Sequence, residues 1–221
     1  MERSSIIKEF VSKKVDLDTT LKRLKVILYS IDNEEVIEWV DQELNGYEKF
    51  ENLPSYRTFE CEVYGDYFSG TAYNHIRATH HLIPLSGLDK EMRDSIKRIN
   101  IFNDIETIQK SIDSDEKMGK PLPPEICSLI SSTCNLAITR ATVNIDSSQL
   151  MSIIKNVEKR TLDILLKLEK EFGNLDELDI NVENYGDDEL QGFNKSLITI
   201  IYDNSTTIGN NNEIKSSSFK S

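Results

Sequence analysis

All three histidines of the chain, His75, His80 and His81, fall within one short stretch, and Asp66 precedes them. Imidazole nitrogens and carboxylates are common ligands of zinc, and a metal-bound water is an effective nucleophile at neutral pH. This grouping predicts, as one hypothesis, a small metal-dependent hydrolase or nuclease. Histidines at this spacing also occur in ordinary loops, which is the alternative interpretation.

The run from His80 to Gly87 is similar to the start of the HNH nuclease motif, in which a pair of acidic or histidine residues precedes an apolar-apolar-Pro sequence. In that motif one histidine is the general base and a neighbour helps to hold the metal. The chemistry also needs a later asparagine and a later histidine ligand. No histidine follows His81, so the motif is incomplete.

A second group of chemically capable residues lies where a predicted helix meets an extended segment. Glu43, Asn45 and Tyr47 stand at the helix end, and Tyr56 and Arg57 follow in the extended segment. A carboxylate, phenols and a guanidinium can form charge-assisted hydrogen bonds across such a turn. We expect these residues to act as a structural clasp that fixes the corner, with ligand contact as the alternative.

Other catalytic signatures are absent from the sequence, which has no glycine-rich phosphate loop, no Gly-x-Ser-x-Gly and no Cys-x-x-Cys. The three cysteines, Cys61, Cys127 and Cys134, are an odd number without metal-type spacing, which indicates a reducing compartment. We therefore predict no catalytic residue and no cofactor. Whether the chain is an enzyme stays open, with a non-enzyme favoured.

The formal net charge of -12 at pH 7 limits the partners of the chain. A field of this sign repels phosphate backbones at long range, so nucleic-acid binding is not expected. Much of the excess lies in residues 171–195, which carry eight acidic side chains against Lys195. The sequence shows neither a signal peptide nor an apolar run that could span a bilayer, so we expect a cytoplasmic protein.

Helical periodicity dominates the first third of the chain. One apolar stripe steps by four and three residues and consists of Leu17, Leu21, Leu24, Leu28 and Ile31. Asp18 is a candidate cap for this helix. Asn33 is the predicted N-cap of the next helix, and Gly46 is its predicted end because glycine tolerates a positive φ.

The rest of the chain mixes extended and helical patterns. Strand-forming segments are predicted at 56–68, 71–88 and 136–145. Further helices are predicted at 89–99, around 105–112, from Pro124 onwards, and from 146 or 147 to 172. The fold class is therefore α+β, a single helix-rich domain over residues 3–172 with a few short strands.

The end of the chain differs from the domain in composition. Residues 173–195 are predicted to be an acidic linker, and residues 196–221 a polar tail that is either disordered or a set of short strands. Leu197 to Tyr202 is a strong strand-forming stretch. The tail is the expected surface for a homo-oligomer or a protein partner, through Ile198, Ile200, Tyr202, Ile208, Ile214 and Phe219.

One stretch carries a family resemblance. Its residues are Trp39-x-x-x-Glu43-Leu44-Asn45-Gly46-Tyr47 and then Leu53-Pro54-x-Tyr56-Arg57. They resemble the AbiTii-type domain of bacterial abortive-infection, or phage-resistance, proteins. The likeness extends over about residues 3–172, including a helix before this stretch and a Pro-rich step into a later helix at Leu122-Pro123-Pro124.

The resemblance implies a module that is frequently the N-terminal part of longer proteins whose C-terminal parts differ. It assigns no catalytic role to any residue of this sequence. Our first hypothesis is therefore a non-catalytic, defence-associated module that self-associates or docks a partner in the anti-phage response. The metal-dependent hydrolase is the alternative, and a third possibility is a protein whose acidic stretch neutralises a basic partner.

Overall fold

The computed structural model describes residues 3–71, 74–114, 118–182 and 184–202. The helices in this part of the chain are α1 (Ser5–Val11), α2 (Leu17–Tyr29), α3 (Glu34–Asn45), α4 (Lys90–Lys97), α5 (Ile105–Asp113), α6 (Pro124–Cys134), α7 (Ser147–Phe172) and α8 (Asp187–Tyr202). The strands are β1 (Thr58–Glu60), β2 (Val63–Thr71), β3 (Asn74–Leu82), β4 (Arg98–Asn100), β5 (Gly119–Pro121) and β6 (Leu136–Asn144). This arrangement is the predicted α+β class.

The first long helices begin and end where their capping residues allow. Asp16 is the N-cap of α2, because its side chain accepts a hydrogen bond from a backbone N–H of the first turn. The prediction that Asp18 caps this helix was wrong, since Asp18 lies inside the first turn. Asn33 caps α3 as predicted, and Gly46 ends it with a φ of 89°, which favours glycine.

Helix α7 is the centre of the helical layer and contacts α1, α2, α5 and α8. Its N-terminus has a capping box formed by Asp146 and Gln149, which confirms the predicted start. An apolar stripe that steps by three and four residues along α7 is buried at every position, namely Ile154, Val157, Thr161, Ile164 and Leu168. The spacing of this stripe matches the helical repeat, so one face of α7 enters the core.

The larger sheet is antiparallel and has the strand order β3-β2-β6-β5, while β1 and β4 form a second, two-stranded sheet. One face of the larger sheet packs into the core through Val63, Ala141 and Val143. The alternate residues of β2, including Tyr64 and Phe68, lie on the opposite face. Strand β3 is an edge strand, and nearly all of its residues are exposed.

The segment from Leu197 to Tyr202 is helical, so the prediction of a strand there was wrong. Its β-branched residues favour strands locally, but this preference is weak. The spacing of four between Leu197 and Ile201 buries both side chains on one face of α8, which packs against α3 and α7. Tertiary burial therefore decided the conformation. Residues 203–221, which include Ile208, Ile214 and Phe219, lie outside the described residues.

The acidic segment 173–195 contributes to the core at two points, because Leu175 and Ile180 are buried there. Asp187, Asp188 and Glu189 form the first turn of α8, where negative charge interacts favourably with the helix dipole. None of the helices that the structure describes combines the length and the apolarity needed to cross a membrane.

Candidate functional site

Four of the five predicted corner residues meet in the interior of the protein. Glu43 Oε1 accepts hydrogen bonds from the hydroxyls of Tyr47 and Tyr56, each at 2.6 Å, and from Arg57 Nε at 3.3 Å. Glu43 Oε2 accepts a hydrogen bond from Arg57 Nη2. Glu43 thus accepts four hydrogen bonds, three at Oε1 and one at Oε2, from three side chains.

The geometry of the chain brings these residues together in two steps. Glu43 lies in the last turn of α3, and Gly46 then turns the backbone so that Tyr47, which follows the helix, donates from its backbone N to Phe102 O at 2.8 Å. A short 3₁₀ turn, Ser55–Arg57, presents the second pair of side chains from the opposite direction. Its position beyond Pro54 fixes the approach of the chain to the carboxylate.

Arg57 also joins the corner to the segment that follows β4. Its Nη1 donates to Ile101 O at 3.1 Å and to Asn103 O at 2.7 Å, and its guanidinium lies 4.7 Å from the ring centre of Tyr47. The side chains of Glu43 and Arg57 have 0% exposed surface. A charge this deeply buried requires an opposite charge and hydrogen-bond partners, and the corner provides both.

Burial and the neighbouring charge shift the pKa values of Tyr47, Tyr56 and Arg57 away from the working pH range. Burial, and then the charge of Glu43, raise the pKa values of the Tyr47 and Tyr56 hydroxyls far above their ordinary value. Burial lowers the pKa of Arg57, but the Glu43 charge outweighs it and the pKa lies above its usual range. General acid–base catalysis needs a proton that exchanges near working pH. The arrangement therefore favours a structural ion pair.

The network continues from Tyr56 to two residues outside the predicted set. Trp39 Nε1 donates to the Tyr56 hydroxyl at 3.0 Å, and the Arg160 guanidinium lies 4.5 Å from the ring centre of Tyr56. Arg160 Nε also donates to Ile201 O at 2.9 Å, near the end of α8. Sequence reasoning missed Arg160. The signal that could have indicated its role is the position of an arginine among the apolar, buried residues of α7.

Asn45, the fifth predicted corner residue, does not join the network. Its side chain is exposed and its Nδ2 donates to Asp41 O at 3.0 Å, within the last turn of α3. This contact satisfies a backbone carbonyl at the helix end.

The histidines follow an exposed edge strand instead of surrounding one point. His75 and His81 lie near the two ends of β3, and His80 lies at the irregularity in its pairing with β2. His80 has a φ of 51°, its N–H donates to Asp66 Oδ1 at 2.8 Å, and its ring stacks on that of Tyr64. Within the described residues, no three His, Cys, Asp or Glu side chains are arranged to hold a metal ion.

The predicted partner residues on α8 differ in how much surface they offer. Ile198 and Ile200 are half-buried against the core, whereas Tyr202 is 53% exposed at the helix end. Tyr202 and the exposed Phe50 line the same open cleft beside the corner. Of these three predicted partner residues, Tyr202 is therefore the one whose side chain is largely at the surface.

The fold and the buried corner describe an α+β domain in which a closed polar network joins a helix end to a strand start. A family model, AbiTii, matches residues 4–195, and the chain belongs to this family. Membership supports a role in abortive infection, that is, in phage defence. No match was found among curated proteins or among solved structures.

Proposed function

We propose that this protein works in phage defence as a non-catalytic module that self-associates or docks a protein partner. The observation that carries this proposal is the closed corner. The Glu43–Arg57 ion pair has no exposed surface, and its carboxylate accepts four hydrogen bonds from Tyr47, Tyr56 and Arg57. A charged pair buried in this way stabilises a fold and is not accessible to a substrate from solvent.

The C-terminal end is the proposed contact region. Tyr202 and Phe50 are large, exposed side chains on the same cleft, and aromatic residues at such positions frequently anchor protein interfaces. The polar tail follows Tyr202 directly. Helix α8 holds this cleft in place, because Arg160 bonds to its last turn and Leu197 is buried.

Light scattering tests the binding part of the proposal. We expect the full chain to form an oligomer or to retain a partner on affinity purification, and a chain ending at Tyr202 to lose that association. Tyr202→Ser in the full chain should weaken it, whereas Tyr29→Ser, at a similarly exposed tyrosine on α2, should not. Strictly monomeric protein in every case, with no partner recovered, would contradict the proposal.

Phage plating tests the non-catalytic part. Tyr47→Phe removes one hydroxyl from the corner, and Ile153→Val removes one methylene from the core of α7 at a cost of about 0.5–1.5 kcal/mol. If the corner is structural, the two variants should protect cells against phage equally when they are compared at equal free energy of unfolding. Loss of protection by folded Tyr47→Phe alone would show that the corner has a chemical role.

A further inference from the structure

The outer face of the larger sheet, the face turned away from the core, has a composition unlike the rest of the protein. We call it the outer sheet face and define it by Tyr64, Phe68, His75, Arg77, His80 and Arg140. Tyr64 and Phe68 lie on the central strand β2 and are partly exposed. The other four side chains are exposed on the flanking strands.

Aromatic rings are the first component of this face. The rings of Tyr64 and His80 are stacked, with centroids 5.5 Å apart and planes at 21°. Phe68 meets His75 edge to face, also at 5.5 Å. The two ring groups are four residues apart on β2, a separation of about 13 Å along a strand. They form two separate stacking positions on one surface.

Positive charge is the second component. The Arg77 guanidinium lies 5.9 Å from the ring centre of Phe68, and Arg140 lies on the opposite flanking strand with 73% of its side chain exposed. Asp66 is the single carboxylate on β2, β3 and β6, and it pairs with Arg140 at 3.2 Å. The face is therefore cationic within a chain whose net charge is -12.

We propose that the outer sheet face binds single-stranded nucleic acid. Unpaired bases stack on Tyr64 and Phe68, and the phosphates lie along Arg77 and Arg140, which matches the way sheet-based modules bind single strands. A duplex hides its base faces, so it cannot use these rings. The whole-chain charge disfavours such a partner at long range, but the contact surface is locally complementary to it.

The face also predicts the orientation of the strand. Glu60 and Glu62 are exposed and share a cleft with Tyr64, so they repel phosphates at that end. Among the described residues of β2, β3 and β6, none at the end near Phe68 and Arg77 is a carboxylate. The phosphates should therefore concentrate at the Phe68 end. This surface is separate from the C-terminal contact region, so the inference goes beyond the proposed function and does not depend on it.

Fluorescence anisotropy on the full chain tests this inference, using labelled single-stranded RNA and DNA of about 12 nucleotides and the matching duplexes. We expect binding of single strands at about 50 mM salt that weakens as salt increases. Phe68→Ala should reduce the affinity about tenfold, because stacking on one ring is lost. Arg77→Glu should reduce it at least as much, while Lys155→Glu, the same charge change on exposed α7, should have little effect.

Three results would overturn the inference: no binding of single strands, equal binding of duplexes, or affinity that Phe68→Ala and Arg77→Glu leave unchanged. Displacement by polyglutamate with no effect of Phe68→Ala would instead identify the face as a docking site for an acidic protein. Circular dichroism of each variant checks that the fold is retained. Loss of tail-dependent association does not affect this test, so the two proposals can fail separately.

Discussion

Glu43 and Arg57 form an ion pair with no exposed surface on either side chain, although fourteen positions separate them in the chain. The desolvation of two charges is expensive, and it is offset here by their mutual attraction and by hydrogen bonds to both groups. Tyr47 and Tyr56 donate further hydrogen bonds to the Glu43 carboxylate. The Arg57 guanidinium in turn donates to the carbonyls of Ile101 and Asn103. The pair thus joins α3, the 3₁₀ turn and the segment after β4.

Removing one partner of this pair should destabilise the protein strongly. Arg57→Met or Glu43→Gln leaves a buried group without its partner, so we expect each to lower the free energy of unfolding by about 3–5 kcal/mol. The combined variant should cost less than the sum of the two, because the groups interact directly. Urea unfolding followed by Trp39 fluorescence measures all three. Lys110→Gln is the control, because it removes the exposed ion pair between Lys110 and Glu106. It should lower the free energy of unfolding by less than about 1 kcal/mol.

Tyr56→Phe should alter the environment of Trp39, the only tryptophan of the chain. The Tyr56 hydroxyl accepts from Trp39 Nε1 and donates to Glu43, so its removal leaves a buried indole N–H without that acceptor. We expect a loss of about 1–3 kcal/mol in stability and a shift of the tryptophan emission maximum. Tyr29→Phe, at an exposed ring, should change neither. An unchanged emission spectrum in folded Tyr56→Phe would contradict this contact.

Thr161→Val should stabilise the protein. Among the described residues, Thr161 Oγ1 is a buried hydroxyl without a hydrogen-bond partner, and its side chain is fully buried on α7. Valine has nearly the same shape and no hydroxyl to desolvate, so we expect a gain of about 1 kcal/mol and a higher Tm. Thr20→Val on α2 is the matched control. Its hydroxyl donates to Asp16 O, so the same substitution should destabilise.

Glu169 should make stability depend on pH on the acid side. Burial acts to raise its pKa, but hydrogen bonds from Ser4 and Arg3 outweigh burial and hold the pKa below its ordinary value. A depressed pKa in the folded state gives stability that is present above the unfolded pKa, about 4.3, and is lost as the pH falls through the folded value.

Glu169→Gln should therefore be less stable than the natural protein at pH 7, and the difference should shrink as the pH falls below about 4. Thermal unfolding across pH 3–7 measures this. Glu177→Gln, at an exposed carboxylate, is the control and should run parallel to the natural protein. A difference that stays constant with pH would show that the Glu169 contact acts through packing alone.

Much of the local structure could be predicted because it depends on neighbouring residues. The apolar repeats of α2 and α7 match the helical period, and Asn33, Gly46 and Asp146 bound their helices through contacts within one turn. The prediction for Leu197–Tyr202 failed because weak strand propensity was overridden by the burial of Leu197 and Ile201. Sequence patterns do not show which surface a segment will meet.

By itself, the sequence determined the fold class, the family and the residue types of the corner. The match over residues 4–195 confirms the resemblance that Trp39 to Arg57 carried. Only the tertiary structure decided that Glu43 accepts four hydrogen bonds from Tyr47, Tyr56 and Arg57. It also decided that Arg160 extends the network to α8 and that the histidines spread along an open sheet face. These contacts join residues far apart in the chain, and their geometry depends on how the whole core packs.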